Sequence, residues 1–265
     1  MEQVTAFTQR LTSALGKTLP QRFRAAGIHL GLSAVIFAAA LYLILIEWYP
    51  GFHFSVDGGW QGVRIMAAVD LILGPLLTLI IFNPFKARKL IVFDLACIGL
   101  AQLGALAWGF YAIHSQHPVA VTYSDGEFYS VTAEPILSEA ADLSLLSGLS
   151  DRQPALIYVA PPATEEEETR AALMEMMGTA MPHEDPFFFR AFAPHWGEVK
   201  SRAIDAETRA GNDPQFAEQL RDFIANRGGQ VRDYFLFPFT GRYGVCTLAF
   251  DSSGQLLGAM HCQGY

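Results

Sequence analysis

The chain has 265 residues, a formal net charge of −8 and 51% apolar residues, and its mean hydropathy of +0.25 is high for a soluble protein. The acidic excess argues against nucleic acid as a partner, because a polyanion repels it. The apolar residues crowd toward the front of the chain instead of spreading evenly through a core.

Residues 1–23 form a short tail in which Val4, Phe7, Leu11, Leu15 and Leu19 fall near helical spacing. That pattern fits either a helix lying on a membrane surface or a frayed leader. Residues 24–115 contain three apolar runs, at about 25–48, 62–82 and 90–113, with Glu47, Asp70 and Asp94 as their acidic residues. Each run exceeds the roughly 18 residues at which an apolar stretch reads as a spanning helix. Buried core helices are usually shorter and striped with charge, so three transmembrane helices are predicted. The first run lacks a small-residue cleavage site and leads into Glu47-Trp48-Tyr49-Pro50, as a retained anchor does. Trp48, Tyr49, Trp60, Trp108 and Tyr111 are predicted to sit in the interfacial aromatic belts.

Basic residues set the orientation. Arg10, Lys17, Arg22 and Arg24 precede the first run, Lys86, Arg88 and Lys89 separate the second from the third, and residues 50–64 carry only Arg64 against Asp57. Basic loops stay on the cytoplasmic side, which predicts a cytoplasmic N-terminus and an outer domain at 116–265. Residues 1–115 carry eight basic and five acidic side chains, and residues 116–265 carry ten and twenty-one. So acidic an outer domain favours a protein or small-molecule partner over an anionic lipid surface.

In the outer domain, residues 119–123 and 128–132 flank Ser124-Asp125-Gly126 as a predicted hairpin. Residues 155–160 read as a strand. Thr164 with Glu167 three residues on gives a capping-box signal for a helix to about Met177, stopped by Gly178. Asp213-Pro214 opens a second helix with Phe216, Leu220 and Phe223 on one face, ended by Gly228-Gly229. Residues 234–239, 245–250 and 255–262 then read as strands. The predicted fold is a three-helix transmembrane bundle followed by an α+β domain that ends in an antiparallel sheet. Strand alternation puts Cys246, Leu248 and Phe250 on one face, and Leu256, Gly258, Met260 and Cys262 on one face. A Cys246–Cys262 disulfide is therefore expected in an oxidising compartment, while Cys97 lies in the third helix as a small apolar residue.

His29, Asp70 and Asp94 are the ionisable side chains of interest within the spans, where such groups are costly and mark function by default. His29 and Asp94 lie near the same membrane side and are placed to pair. Asp70 lies deeper, four residues before Gly74-Pro75, where the missing amide frees a backbone carbonyl. Two roles remain open. One is an internal lock, with Asp94 bonded to His29 or Gln102 and Asp70 to Thr78 or nearby backbone; the other is recognition of a partner helix. Gly99, Gly104, Ala105 and Gly109 suit close helix approach in either case. Catalysis is not expected, because two carboxylates with no metal-ligand set lack the usual company. The outer domain shows no His-x-x-x-His, no Gly-x-Ser-x-Gly and no phosphate loop. His183, Glu184, Asp185 and His195 have no specific metal spacing, so neither metal nor cofactor is expected. Phe187, Phe188, Phe189 and Phe192 are expected to be buried under the second helix.

Several segments together resemble the TfpX/TfpZ family of type IV pilin accessory proteins. They are Ala26-Gly27-Ile28-His29-Leu30, Trp48-Tyr49-Pro50, Gly58-Gly59-Trp60, residues 69–78 with Asp70 and Gly74-Pro75, Phe82-Asn83-Pro84 and Phe93-Asp94-Leu95-Ala96. Weaker echoes fall at residues 186–194 and at Gly241-Arg242-Tyr243-Gly244 with the hairpin that follows. The extended tail and the two outer cysteines depart from the pattern. The resemblance implies a multi-pass protein of the bacterial inner membrane with a periplasmic C-terminal domain. It also implies a chaperone role: binding and stabilising the major type IV pilin, through its transmembrane helix and globular head, for pilus assembly, with other assembly proteins as further partners. His29, Asp70, Gly74, Pro75 and Asp94 would then recognise the pilin helix. The rival is a membrane-embedded pilin-modifying enzyme with Asp70 or Asp94 as general base.

The orientation is directly testable. Alkaline phosphatase fused after His117 is expected to be active, and fused after Lys86 inactive; the reverse pattern would invert the whole topology.

Overall fold

The computed structural model describes residues 2–139, 142–178 and 181–264, with side chains from Thr18 onward. It divides into two units: Met1–Leu43 with Trp60–Ile113, and Ile44–Gly59 with His114–Tyr265. Residues 44–59, which are the end of the predicted first span and the loop after it, thus pack as part of the second unit.

In the first unit, α1 (Glu2–Leu43) is one continuous helix, so the tail and first span share a single backbone rod. After a short helix α2 (His53–Val56) in the second unit, the second span is built from α3 (Gly59–Ala67), a wider π-type segment at Ala68–Leu73, and α4 (Gly74–Ile81). The third is α5 (Arg88–Ser115). Three stretches, Thr18–Trp48, Gly59–Ile81 and Arg88–Ser115, are long and apolar enough to cross a membrane. Their outward-facing Leu, Ile, Val and Phe side chains leave little buried, as lipid-facing helices require. α1 packs along α4. Arg22 of α1 donates to the Leu79 and Ile80 carbonyls at 3.3 and 3.0 Å, satisfying orphan groups at the C-terminal end of α4.

The second unit is built on a seven-stranded mixed sheet. Strands β1 (Pro118–Ser124) and β2 (Glu127–Thr132) form the expected hairpin. Its two turn residues, Asp125 and Gly126, both have positive φ, the type I′ geometry that matches strand twist. Helices α6 (Ala133–Ser138) and α7 (Ser144–Leu149) lead to β3 (Ala155–Val159), which returns parallel to β1. Helix α8 (Glu165–Met177) starts on a complete Thr164/Glu167 capping box, worth about 1 kcal/mol, and stops at Gly178. Strand β4 (Phe189–Ala191) pairs at the β3 edge, followed by α9 (Trp196–Val199), α10 (Ala206–Asn212) and α11 (Pro214–Arg227). Asp213 caps α11 through bonds from the Gln215 and Phe216 amides. Strand β5 (Phe235–Gly241) runs parallel to β2, and β6 (Gly244–Phe250) and β7 (Leu256–Gly264) complete an antiparallel meander, so the strand order is β4-β3-β1-β2-β5-β6-β7.

Alternation along the strands builds a core on each face. One face carries Tyr123, Phe128, Phe237, Phe239 and Phe250, closed by Phe192 and Trp196. On the other, Ile157, Val159 and Met174 pack near β3, and Leu236, Ala249 and Met260 pack with Phe216 and Leu220 of α11. The phenylalanine run does not lie under α11. It passes through a 3-10 turn, β4 and a second 3-10 turn, so Phe188 and Phe189 enter one core and Phe192 the other. Phe187 stays 45% exposed.

Cys246 and Cys262 are bridged. Met260, however, faces away from Cys246, because it pairs with Thr247 while Gln263 pairs with Val245. The extra residue of that bulge is His261, with φ of 51°, and it turns Cys262 back toward Cys246.

The bridge spans a sequence separation of 16, for which chain entropy gives roughly 3 kcal/mol. Maleimide applied to the unreduced, denatured protein should label Cys97 alone. Cys246→Ser should lower the unfolding free energy by about that 3 kcal/mol in a denaturant titration.

Candidate functional site

The membrane unit holds a cleft of about 170 Å³ lined by polar His29, Ser33, Asp70 and Gln102 together with Gly99 and apolar side chains. Its shape starts from Pro75. Without an amide hydrogen, Pro75 cannot bond back to Leu71, and its ring crowds that carbonyl. The helix opens ahead of it, and the Gly74 amide donates five residues back to Val69. Asp70 lies in this widened segment, 6% exposed, with Oδ2 buried and without a hydrogen-bond partner. Gly74 matters for a separate reason: a Cβ there would stand 1.8 Å from the Gln102 amide nitrogen, so α5 reaches the second span only because that position is bare.

The expected internal pairings are replaced by others. His29 Nδ1 and Thr78 Oγ1 share a 2.6 Å hydrogen bond. Asp94 instead accepts from Lys86 Nζ at 2.5 Å, outside the cleft and partly exposed. The reason is reach: the flexible lysine stem two residues before α5 brings an ammonium to the carboxylate without costing helix geometry. The third span's glycines are also settled. Cβ atoms added at Gly99, Gly104 or Gly109 would meet nothing within 4 Å, so within the described residues these positions pack against no neighbour.

A second polar cluster lies in the second unit. His53 and Asp57, both buried, form a 2.5 Å pair one helical turn apart. Asp57 Oδ1 accepts from the Arg242 amide at 3.1 Å, and the Tyr243 amide donates to the Val56 carbonyl at 2.6 Å. A Cβ at Gly241 would lie 2.7 Å from Asp57 Oδ1, and one at Gly58 would lie 2.8 Å from the Tyr243 ring. Two glycine-bearing motifs far apart in sequence are thus halves of one clamp. Phe52 seats edge-on against Phe239 at 5.2 Å and Val56 enters the aromatic core. Tyr49 is buried beside them instead of lying in an interfacial belt; burial, and then the Asp57 charge, push its hydroxyl pKa up.

Comparison with known proteins gives relatives of one kind. The chain is 36% identical over 107 residues to three fimbrial assembly proteins of Dichelobacter nodosus, those of serogroups C1 and C2, serogroup E1 and serogroup I. The match covers 39% of this chain and 82% of the serogroup C1 and C2 protein. The chain belongs to the fimbrial assembly protein family. It spans 42% of the length of the serogroup E1 and serogroup I proteins. No family model and no solved structure matches it.

In this fimbrial assembly family member the second-unit residues weighed for metal binding go separate ways. His183 stacks on Tyr129 at 4.0 Å, and burial lowers its pKa. Asp185 caps the turn at Phe187 and pairs with Arg170. His195 stacks on Tyr158 at 4.0 Å. Sequence reasoning missed His53 and Asp57. Their i, i+4 spacing next to two glycines was the available signal, but it gives no hint of the distant turn they grip.

Asp57→Ala leaves the His53 ring and the Arg242 amide without their partner in a buried setting, at a cost of about 1–3 kcal/mol. A lowered thermal midpoint of the purified protein would register it, with a smaller drop for Asp57→Asn, which keeps an acceptor oxygen.

Proposed function

We propose that the protein is a type IV pilin accessory protein of the bacterial inner membrane. In this reading its N-terminus is cytoplasmic, its C-terminal domain is periplasmic, and the cleft around Asp70 receives the pilin's membrane helix. The names of its relatives support a part in fimbrial assembly. The observation that carries the reading is the unpartnered Asp70 Oδ2 beside bare Gly99. A buried acceptor left unmade costs about 1–3 kcal/mol, and hydrocarbon offers no water to relieve it. A partner helix that donates to Asp70 recovers that cost, and the open glycine lets its backbone come close.

Roles within the motif then divide. Asp70 is the recognition group and His29 lines the same cleft. Pro75 and Gly74 shape the site by opening the helix and admitting α5. Asp94 serves as an anchor to Lys86, not as a recognition group. Holding is favoured over chemistry, because a general base needs a second group at the reacting atom and Asp94 is engaged outside the cleft.

Two variants test this. Asp70→Ala removes the handle, and Gly99→Leu fills the cleft from a position with free space around it. Both should leave this protein at normal level in the membrane while the cognate pilin and surface pili fall. Normal pili in both variants would refute recognition through the cleft. Loss of the protein itself in both would make these residues a structural lock.

A further inference from the structure

A groove of about 840 Å³ lies along α8, with Glu165 and Glu166 at its N-terminal end, Leu173 and Met177 toward the other, and Glu139 and Phe187 beside Arg170 between them. We propose that it binds a protein segment that is basic at one end and apolar at the other. This surface lies in the outer domain and is independent of the intramembrane reading.

Four observations support the assignment. First, the apolar side chains are not surplus core: α8 buries Met174 against the sheet, whereas Leu173 is 47%, Phe187 45% and Met177 67% exposed. Second, the groove's wall is held in place. Arg170 bonds to Asp185 at 2.6 Å and to Glu139 at 2.7 Å, and its guanidinium lies 5.0 Å from the centre of the Phe187 ring. Those partners hold its pKa above the usual arginine value and neutralise the one cation that lines the groove among the described residues. Third, Glu165 and Glu166 make no ion pair among the described residues, which leaves a negative rim at that end. Fourth, this charge selects the occupant. Anionic lipid headgroups are repelled, and so is a second copy, since residues 116–265 carry twenty-one acidic side chains against ten basic ones. A Lys- or Arg-bearing segment is attracted, and the methionine side chain adapts to whichever apolar group enters. The 13-residue helix is about 20 Å long at 1.5 Å per residue, enough for a short amphipathic helix to lie alongside.

The test uses the full-length protein in neutral detergent and a fluorescent synthetic peptide with Leu, Met and Phe at one end and Lys at the other. Its twin carries Glu in place of Lys. Anisotropy titrations should show the Lys peptide binding and weakening as salt screens the glutamates, with the Glu peptide not binding. Combined Glu165→Lys and Glu166→Lys should weaken binding about tenfold, and so should Leu173→Asp at the apolar end. Either variant suffices if the other fails to fold, as judged by thermal midpoint. No binding of the Lys peptide, equal binding of both peptides, or unchanged affinity in the folded variants would overturn the proposal. Dimerisation abolished by Leu173→Asp would give the groove to a second copy. Capture by phosphatidylglycerol vesicles lost in that variant would give it to lipid. Either result also overturns the proposal.

Discussion

Pro75 has no amide hydrogen, and within a hydrocarbon layer the carbonyl it should have paired has no water to turn to. The second span meets this by widening into a π-type segment, and the widening carries Asp70 inward to a place where one carboxylate oxygen is shielded and unbonded. The rest of the membrane unit is arranged around that opening. Gly74 stays bare so that Gln102 can come against it, His29 is tied off by Thr78, and Gly99 faces empty space. A π-type opening within a helix often accompanies function. Here its physical content is a polar acceptor that the chain itself does not satisfy.

The two buried aspartates make a useful contrast. Asp57 is satisfied twice, by the His53 ring and by the Arg242 amide, and its effect is to fix residues 44–59 onto the β5–β6 turn. Asp70, equally shielded, lacks a partner at Oδ2. Satisfied buried polar groups rigidify and specify a structure, while an unsatisfied one raises the energy of the free state. That difference, not burial or charge, is why Asp57 is read as architecture and Asp70 as a handle for a partner.

What could be read in the sequence is what local chemistry decides. The Asp125-Gly126 turn, the Thr164/Glu167 capping box and the Asp213-Pro214 helix start each rest on a few adjacent residues, and each is present. Where pairing is long-range, the sequence says less. The parallel partnerships of β1 with β3 and of β2 with β5 depend on crossovers that no local pattern encodes. Strict alternation failed at Met260, since the bulge at His261 shifts the register by one residue, yet the cysteines still meet because that shift falls between Met260 and Cys262. Asp94 went to Lys86 instead of across the bundle, as flexible side chains choose partners by reach. The clamp was hidden for the same reason: its halves, at 57 and 242, are separated by most of the chain.

The physics of the medium also explains why a membrane-embedded partner would need a polar handle at all. Lipid tails are as apolar as the leucines of a helix, so burying one apolar helix against another gains little from hydrophobicity and relies on close packing and hydrogen bonds. A bundle whose third helix buries only Ile98 and Ile113 is therefore loosely committed to itself, and its open glycines offer close packing without displacing anything. Packing alone discriminates poorly among apolar helices. A single unpaired carboxylate oxygen does better, because only a helix with a matching donor relieves it, recovering about 1–3 kcal/mol that other helices leave unrecovered. In the proposed reading, close approach and a polar demand at one depth, acting together, would give a small cleft the means to tell one membrane helix from another.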